Sequence, residues 1–296
     1  MPISTLIAAD ELTSGLISDA GDRLAAAGCV PAEIEWIEPG KAVDIGFEGS
    51  IADARRALAV LETSADIAVQ SADNRRKMLL VSDMDSTMIT VECIDELADY
   101  AGIKPEIAAI TERAMAGELD FADALKARVA LLAGLQEDVI AQCLAERVRP
   151  MAGAETLVRT MVDWGAHSVL VSGGFSSFTG PVAKMIGLTE VHANDLEIVD
   201  GRLTGQLIGN MVDAARKRSV LGAAAQVRGL DMSQVLAVGD GANDLPMIAA
   251  AVEGQGLGVA FHPRPVLAAA ASFSVRHGDL TALLYAQGVR RTEWAI

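Results

Sequence analysis

The residues from Met78 to Thr90 constrain the fold of this chain more than any other stretch. They read MLLVSDMDSTMIT, a short apolar run that stops at two aspartates and continues in hydroxyl residues. An apolar run of this length followed by polar turn residues is typical of a buried strand of a parallel sheet, where the strand leaves the sheet. Ligands of open α/β sheets bind at that carboxyl edge. The stretch therefore predicts an α/β fold with a site directly after this strand.

Asp83 and Asp85 stand two residues apart, so an extended backbone would send both side chains from the same face. Neighbouring carboxylates repel each other, and a hard cation such as Mg²⁺ is the usual reason for a protein to keep them together. The pair thus predicts a metal site. A turn rich in Asp and Ser without a ligand is the alternative, because short motifs also match by chance.

The residues before this stretch, 1–76, are predicted to form a unit of their own. Their apolar patterns and turn residues predict the order strand, helix, strand, strand, helix, strand, which is a ferredoxin-like plait. This order resembles the ACT-type regulatory domains, which often bind amino acids, and it implies serine or another amino acid as an effector. A packing or dimerisation unit without a ligand is the alternative, and an exposed edge of it could form a homodimer. A purely regulatory unit would leave a chain that starts near Arg75 able to fold.

Residues 77–296 are predicted to form a larger unit with an insert. Between about residues 91 and 150 the pattern is wholly helical, which is typical of a cap that closes over a site and excludes water. From Ala152 onwards strands and helices alternate, so the sheet is expected to be parallel and doubly wound. The predicted architecture is a Rossmann-like α/β core with a helical cap insert, preceded by the ferredoxin-like unit.

Two later strands also end in loops that could carry chemistry. One ends in Ser172-Gly173-Gly174, and the other ends in the residues from Gly239 to Asp244, GDGAND. Backbone N–H groups of such a glycine loop can hold phosphate oxygens, and Asp240 can supply a second carboxylate to Mg²⁺. A helix cap at Ser172 and a plain turn at Asp240 are the alternatives.

Together the three loops suit phosphoryl transfer. Asp83 could attack phosphorus as a carboxylate nucleophile. Asp85 could protonate the leaving oxygen and later remove a proton from water, so that the two carboxylates divide the work.

Four motifs in chain order resemble those of the haloacid-dehalogenase (HAD) superfamily, and the resemblance covers about residues 78–290. The motifs are Asp83-x-Asp85-Ser86-Thr87, Ser172-Gly173-Gly174, Lys217 and Gly239-Asp240-Gly241-x-Asn243-Asp244. The Asp-Ser-Thr variant with a small helical insert after it is similar to the phosphoserine phosphatases of that superfamily. The resemblance implies Mg²⁺-dependent hydrolysis of O-phospho-L-serine to L-serine and phosphate through an aspartyl-phosphate intermediate, as the last step of serine biosynthesis.

The resemblance also implies a role for each motif residue. Asp83 is phosphorylated, and it binds Mg²⁺ together with the backbone carbonyl of Asp85 and the carboxylate of Asp240, while Asp244 supports these ligands. The phosphoryl group is held by Ser172, Gly173 and Lys217. Only the motif register selects Lys217 from its basic neighbours, which by default are a solvated cluster. The remaining substrate contacts are Glu92 at the amino group, Arg128 at the carboxylate, Asn243, and an apolar lid of Met115 and Phe121.

Two of these substrate contacts have readings that do not need the resemblance. On a helix that begins at Phe121, about 100° per residue places Arg128 inside the apolar face. A lone arginine on a buried stripe is unusual unless it is paired or faces a site, and a structural ion pair with Asp95 or Glu96 is the alternative. For Glu92 the alternative is an acidic residue that only complements the helix dipole.

The acidic composition limits the partners. A formal net charge of −16 argues against nucleic acid or an anionic membrane surface. No apolar run approaches the length that spans a bilayer, and neither the N-terminus nor the three separated cysteines point to export, so a cytoplasmic protein is predicted. Two other functions stay open: a HAD phosphatase or phosphotransferase acting on another small phosphomonoester, and a non-catalytic amino-acid sensor. The intact set of Asp83, Asp85, Lys217 and Asp240 disfavours the sensor.

Overall fold

An antiparallel sheet of four strands and two helices make up the first part of the chain. The computed structural model describes residues 1–115 and 118–295, without the side chain of Met115. The elements of this part are β1 (Pro2–Ile7), α1 (Ser14–Ala26), β2 (Val30–Glu38), β3 (Ala42–Glu48), α2 (Ile51–Leu58) and β4 (Asp66–Ser71). The strand order is β2-β3-β1-β4. The predicted ferredoxin-like order is thereby confirmed, and Ser50 caps α2 by accepting the N–H of Asp53.

A second sheet of seven strands carries the predicted loops. Its strands are β5 (Leu79–Ser82), β6 (His167–Phe175), β7 (Glu190–Val199), β8 (Arg202–Ile208), β9 (Val235–Gly239), β10 (Leu257–Phe261) and β11 (Phe273–Val275). Their order is β11-β10-β9-β5-β6-β7-β8, and the pairs are parallel except β7 with β8. The parallel α/β core is therefore confirmed. The strand that follows Met78, β5, lies in its middle, between β6 and β9.

Helices cover both faces of this sheet, which explains why its central strands are apolar without alternation. The helices are α7 (Ala154–Asp163), α8 (Ser176–Ile186), α9 (Ala214–Val227), α10 (Leu245–Glu253), α11 (Pro265–Ala268) and α12 (Ala282–Ala286). Leu80 of β5 belongs to the hydrophobic core on one face, whereas Leu79 and Val81 belong to the core on the other. Both cores are needed to bury β5 completely.

Four further helices, here called the cap helices, lie between β5 and α7 in the chain. They are α3 (Cys93–Ala101), α4 (Lys104–Met115), α5 (Phe121–Leu131) and α6 (Asp138–Glu146). The chain enters them after Met88 and returns at Met151. These two crossings are hydrogen-bonded to each other, from Thr90 N–H to Arg149 O (3.1 Å) and from Met151 N–H to Met88 O (2.9 Å). A short two-stranded ladder thus joins the cap helices to the sheet.

The two sheets share one hydrophobic core. Ile7 and Ala68 of the first sheet belong to the same buried cluster as Phe273 and Tyr285. The buried carboxylate of Asp66 also accepts three backbone N–H groups of residues 276–278, at 2.7, 3.1 and 2.8 Å. Removal of residues 1–74 would uncover these apolar groups, and each buried side chain that loses its cover costs roughly 1.5–3 kcal/mol. The contacts therefore speak against the expectation that a chain starting near Arg75 folds alone.

No helix within the described residues combines the length and the apolar character that a membrane crossing requires.

Candidate active site

The carboxyl ends of three adjacent strands bring the predicted loops together. Asp83 follows β5, Asp240 follows β9, and Ser172 lies near the end of β6. Because the strands are parallel, their reactive residues meet at one edge of the sheet, where ligands of such folds bind.

A buried ammonium lies between two carboxylates at this edge. Lys217 Nζ is 2.7 Å from Asp83 Oδ2 and 2.7 Å from Asp244 Oδ1, and the three residues are exposed by only 0%, 4% and 0%. Burial opposes the charge on Lys217, but the carboxylates of Asp244 and Asp83 outweigh it and raise the pKa of the ammonium. The flanking residues Arg216 and Arg218 are exposed, so Lys217 is the buried member of this basic cluster.

Asp240 completes a set of three carboxylates. One oxygen each from Asp83, Asp240 and Asp244 lies within 4.8 Å of the others. Burial first, and then the charge of Asp83, raises the pKa of Asp240 to about 7 and that of Asp244 to about 7. Lys217 contributes one positive charge against three carboxyl groups, so their full ionisation calls for a further cation. An all-oxygen donor set of this kind fits Mg²⁺.

The three carboxylates have different hydrogen-bond partners. Both oxygens of Asp244 are engaged, one by Lys217 and the other by the backbone N–H groups of Asp240 (3.1 Å) and Gly241 (3.2 Å). Among the described residues, Asp240 Oδ1 accepts only a long hydrogen bond from Thr87 Oγ1, at 3.4 Å. Asp240 is therefore the carboxylate with more capacity for a metal ion, and Asp244 fits a supporting position.

Asp85 is not one of these three carboxylates. The extended backbone assumed for Asp83 and Asp85 is not found, because β5 ends at Ser82 and residues 85–88 form a turn. Asp85 Oδ1 accepts the N–H of Cys93 at the start of α3, at 3.1 Å. Burial, with the charges of Glu92 and Asp83 after it, raises the pKa of Asp85 to about 8. The side chain therefore holds a proton at neutral pH, as a general acid must.

The segment from Ser172 to Gly174 belongs to β6 and not to a strand-to-helix turn. β6 continues to Phe175 and α8 begins at Ser176, so Ser172 is not the helix cap that was the alternative interpretation. Ser172 Oγ accepts the N–H of Gly174 at 2.8 Å. A side chain at Gly174 would put its Cβ 2.8 Å from Asp85 Oδ2, closer than real contacts allow. Glycine at this position thus lets the backbone approach the acid.

The substrate-side residues stand where the cap helices meet the sheet edge. Glu92 precedes α3 and does not cap it, since its Oε1 accepts the Ser86 hydroxyl at 2.6 Å. Burial raises the pKa of Glu92. The ring of Phe121, which begins α5, lies against Gly173, since a Cβ at that glycine would be 3.0 Å from it. Asn243 Nδ2 donates to Asp83 Oδ2 at 3.3 Å. The side chain of Met115, the other predicted lid residue, lies outside the described residues.

Arg128 is half-buried and has no carboxylate of its own among the described residues. Its Nε donates to the carbonyl of Ala124 one turn earlier, at 3.3 Å. Burial lowers the pKa of the guanidinium, and the nearby charges that oppose this effect are those of Asp95, Glu92 and Asp85, in that order. Among the described residues, Arg128 forms no ion pair with Asp95 or Glu96, the two partners considered from the sequence. Glu96 instead pairs with Arg147, at 2.9 Å. A half-buried arginine without an ion pair remains at the site.

Sequence reasoning gave no role to three residues at this edge. Ser86 holds Glu92 from a left-handed backbone (φ 54°), and Thr87 donates to Asp240. Both lie inside the first motif, and two hydroxyl residues in a largely apolar stretch could have been predicted to form hydrogen bonds at the site. Asn194 of β7 is buried and bonds to Gly173 O at 2.8 Å. A single Asn in a strand beside an exposed hairpin carries no such signal.

Known proteins resemble both the sequence and the fold. The profile of the family described as haloacid dehalogenase-like hydrolase matches residues 80–249. A phosphoserine phosphatase of Streptomyces coelicolor is 44% identical over 260 residues, which is 86% of this chain and 62% of that protein. A phosphoserine phosphatase of Mycobacterium tuberculosis is 45% identical over 78% of this chain and 56% of its own length. The chain thus spans about three fifths of the length of these two relatives.

Among solved structures, the unliganded probable phosphoserine phosphatase from Vibrio cholerae superposes with a TM-score of 0.77 at 34% identity. The match covers 99% of this chain and 87% of that one. It therefore includes the four-stranded first sheet as well as the seven-stranded one.

Proposed function

The chain belongs to the haloacid dehalogenase-like hydrolases, and from this membership we propose that it is a Mg²⁺-dependent phosphatase that converts O-phospho-L-serine to L-serine and phosphate. One observation carries the proposal: a buried carboxylate, Asp83, touches Lys217 and lies at the same sheet edge as Asp85, whose pKa is raised to about 8. A charged nucleophile next to a protonated acid is what a covalent phosphatase needs. The names of the relatives support the substrate.

In the first half of the proposed reaction, Asp83 attacks phosphorus. Its Oδ1 is oriented by the N–H of Met84 (2.7 Å), and its Oδ2 by Lys217 and Asn243. As the new P–O bond forms, the bond between phosphorus and the serine oxygen breaks, and Asp85 gives its proton to that oxygen. The products are free serine and an aspartyl phosphate on Asp83.

In the second half, water replaces the aspartate. Asp85, now ionised, accepts a proton from water, whose oxygen attacks phosphorus and releases phosphate and the Asp83 carboxylate. Lys217 and the N–H group of Gly173 would stabilise charge on the phosphoryl oxygens. Mg²⁺, held by Asp83, Asp240 and the Asp85 carbonyl, would neutralise further charge there when bound.

The cap side of the site would recognise the amino-acid part of the substrate. Arg128 offers a planar pair of donors to the α-carboxylate, and its charge cannot be lost at physiological pH. Glu92 would pair with the α-ammonium group, in exchange for its hydrogen bond from Ser86. The amino-acid effector at residues 1–76, the homodimer, the domain limits and the cytoplasmic location stay predictions from the sequence.

The proposed function is tested by phosphate release from a panel of small phosphomonoesters with and without Mg²⁺. We expect phosphoserine to be the preferred substrate, and release to need the metal. A different preferred ester would keep the chemistry and change the substrate, whereas phosphorylation of an added alcohol would identify a phosphotransferase. If no ester is hydrolysed while serine binds, the sensor is the correct alternative.

Mg²⁺ is expected to stabilise the protein more at pH 8 than at pH 5.5. Asp240 and Asp244 have folded pKa values near 7, above the ordinary value of 3.8, so they stabilise the metal-free fold below pH 4 and lose this contribution as pH rises through 7. Mg²⁺ binds the ionised form and removes the repulsion. At about 100 times its Kd it adds ~2.7 kcal/mol, or roughly 5–10 °C in Tm. Thermal unfolding at both pH values checks this, and Asp240→Asn should lose most of the pH 8 shift. An equal shift at both pH values would contradict the assignment of these carboxylates.

Asp85→Asn is expected to slow hydrolysis according to the leaving group. Asparagine cannot donate a carboxyl proton, so cleavage of phosphoserine, whose alkoxide is a poor leaving group, should fall by about 10²–10⁴-fold. Nitrophenolate leaves without a proton, so the first step with p-nitrophenyl phosphate should slow less. Single-turnover rates for both esters measure this step directly. Equal losses of rate for both esters would show that Asp85 is not the general acid and that it serves only as the hydrogen-bond acceptor of the Cys93 N–H.

A further inference from the structure

Asn194 connects two parts of the site through one side chain. It lies on β7 and is only 2% exposed. Its Nδ2 donates to the carbonyl of Gly173 at 2.8 Å, and its Oδ1 accepts the N–H of Val212 at 2.7 Å. Both ends of the amide are therefore bonded to the main chain of other segments.

The first of these segments lacks a regular partner in the sheet. β6 and β7 pair from Val169 to Val171 and again at Phe175, with a shift of register between. Gly173 falls within this interruption, where a main-chain carbonyl loses its place in the ladder. A partly buried carbonyl outside the ladder still needs a donor, and the amide of Asn194 supplies it.

The second segment leads directly to Lys217. Val212 precedes Asp213, which caps α9 by accepting the N–H of Arg216 at 2.7 Å, and the carbonyl of Asp213 accepts the N–H of Lys217 at 3.0 Å. Among the described residues, no backbone hydrogen bond joins this segment to residues 172–174. The polar link between them is thus the side chain of Asn194.

We propose that Asn194 is a positioning residue that sets the distance between the phosphate-binding backbone at Gly173 and the ammonium of Lys217. The inference rests on the proposed function, in which one phosphoryl group contacts both. Such a group tolerates little displacement of its ligands, because a misplacement of about 1 Å can cost 10²-fold in rate. Asparagine suits this position because it offers a donor at one end and an acceptor at the other.

Two substitutions separate the parts of this role. Asn194→Asp retains the acceptor for Val212 and loses the donor to Gly173, but it also adds a negative charge. Asn194→Leu has a similar size without charge, and it loses both hydrogen bonds. An effect common to both variants is therefore not caused by repulsion between a new carboxylate and the phosphoryl group.

The measurements are kcat and KM for phosphoserine, the inhibition constant of inorganic phosphate, the Mg²⁺ concentration for half-maximal rate, and thermal unfolding. We expect kcat to fall by about 10–100-fold and the inhibition constant of phosphate to rise about tenfold in both variants. The Mg²⁺ requirement should stay within about twofold of wild type, because the carboxylates of the metal site are not touched by Asn194. A general collapse of the site would change all of these quantities.

Gln70→Leu is the matched control. Gln70 of β4 is also buried and donates a side-chain hydrogen bond to a backbone carbonyl, that of Ala286, at 2.7 Å in the first sheet. The Gln70→Leu variant loses this hydrogen bond and should leave the kinetic constants unchanged. If the Asn194 variants lower Tm but keep kcat and the phosphate constant within about twofold, Asn194 is only structural. If the wild type hydrolyses no ester, the proposed function fails independently of this inference. The role of Asn194 in binding an anion is then tested by comparing how much added phosphate raises the Tm of the wild type and of each variant. If Asn194→Leu does not fold, Asn194→Ala, which is also uncharged and loses both hydrogen bonds, takes its place beside Asn194→Asp.

Discussion

Asp83→Asn is expected to abolish turnover of phosphoserine while the protein stays folded. Loss of the nucleophile removes the covalent route, and kcat should fall by on the order of 10⁴-fold or more, the scale seen when covalent enzymes lose their nucleophile. The variant should also give no phosphorylated protein after an acid quench. In the wild type, mass spectrometry of the quenched protein should map a phosphoryl group to Asp83, and a structure of the folded protein with beryllofluoride should place this mimic on Asp83.

The structure indicates why folding should survive this change. The charge of Asp83 raises the pKa of both Asp240 and Asp244, so its removal relieves repulsion among the three carboxylates. Against this, the amide places an NH₂ group next to a donor, either Met84 N–H or Lys217 Nζ. The two effects oppose each other, and we expect a small net change in Tm. Asp163→Asn, at an exposed aspartate that ends α7, is the control for a lost carboxylate. Normal turnover in Asp83→Asn would refute the covalent mechanism, whatever its effect on Tm.

Arg128→Ala is expected to change the choice of substrate and not the chemistry. Phosphoserine would leave its α-carboxylate unpaired in a half-buried site, at a cost of about 2–5 kcal/mol in transition-state binding. p-Nitrophenyl phosphate has no carboxylate and should be cleaved nearly as before. The quantity to measure is kcat/KM for phosphoserine divided by kcat/KM for p-nitrophenyl phosphate. The change in this ratio, converted to free energy, should be about the same 2–5 kcal/mol.

Arg147 provides the matched control for Arg128. It is another arginine beside the cap helices, but it is more exposed and already pairs with Glu96 and Asp99. Arg147→Ala should therefore leave the kcat/KM ratio unchanged, since exposed ion pairs contribute little. If Arg128→Ala instead depresses both substrates equally, Arg128 supports the cap helices and the phosphoserine assignment loses its main physical support.

The sequence predicted those parts of the fold that local patterns determine. The apolar run after Lys77 predicted β5, and the apolar patterns and turn residues of residues 1–76 predicted the order of the elements in the first sheet. α12 was missed because its five residues, ALLYA, are all buried and so lack the polar face that marks a helix. The shared core of the two sheets was also missed, since contacts between distant segments leave no local pattern.

At the site, residue identity was predictable and geometry was not. The motifs selected Asp83, Lys217 and Asp240, which the structure brings to one edge. The placement of Asp85 depends on the turn of residues 85–88, and the position of Ser172 within a strand depends on the register shift between β6 and β7. Both are set by neighbouring strands and by α3. Such features follow from tertiary packing, to which a single sequence gives no access.

The two hydrogen-bonded crossings at Met88 and Met151 have a consequence for the speed of the enzyme. The cap helices are also hydrogen-bonded to β8, from Gly134 N–H to Leu203 O (2.8 Å) and from Leu203 N–H to Leu135 O (2.9 Å). A rotation of the cap about the two crossings would have to break these bonds, whereas the turn that carries Asp85 lies before the first crossing and would keep its place. In the proposed reaction such an opening would admit phosphoserine and release serine. The bonds to β8 would then limit the rate of turnover, and a viscous solvent would slow substrate binding and product release together.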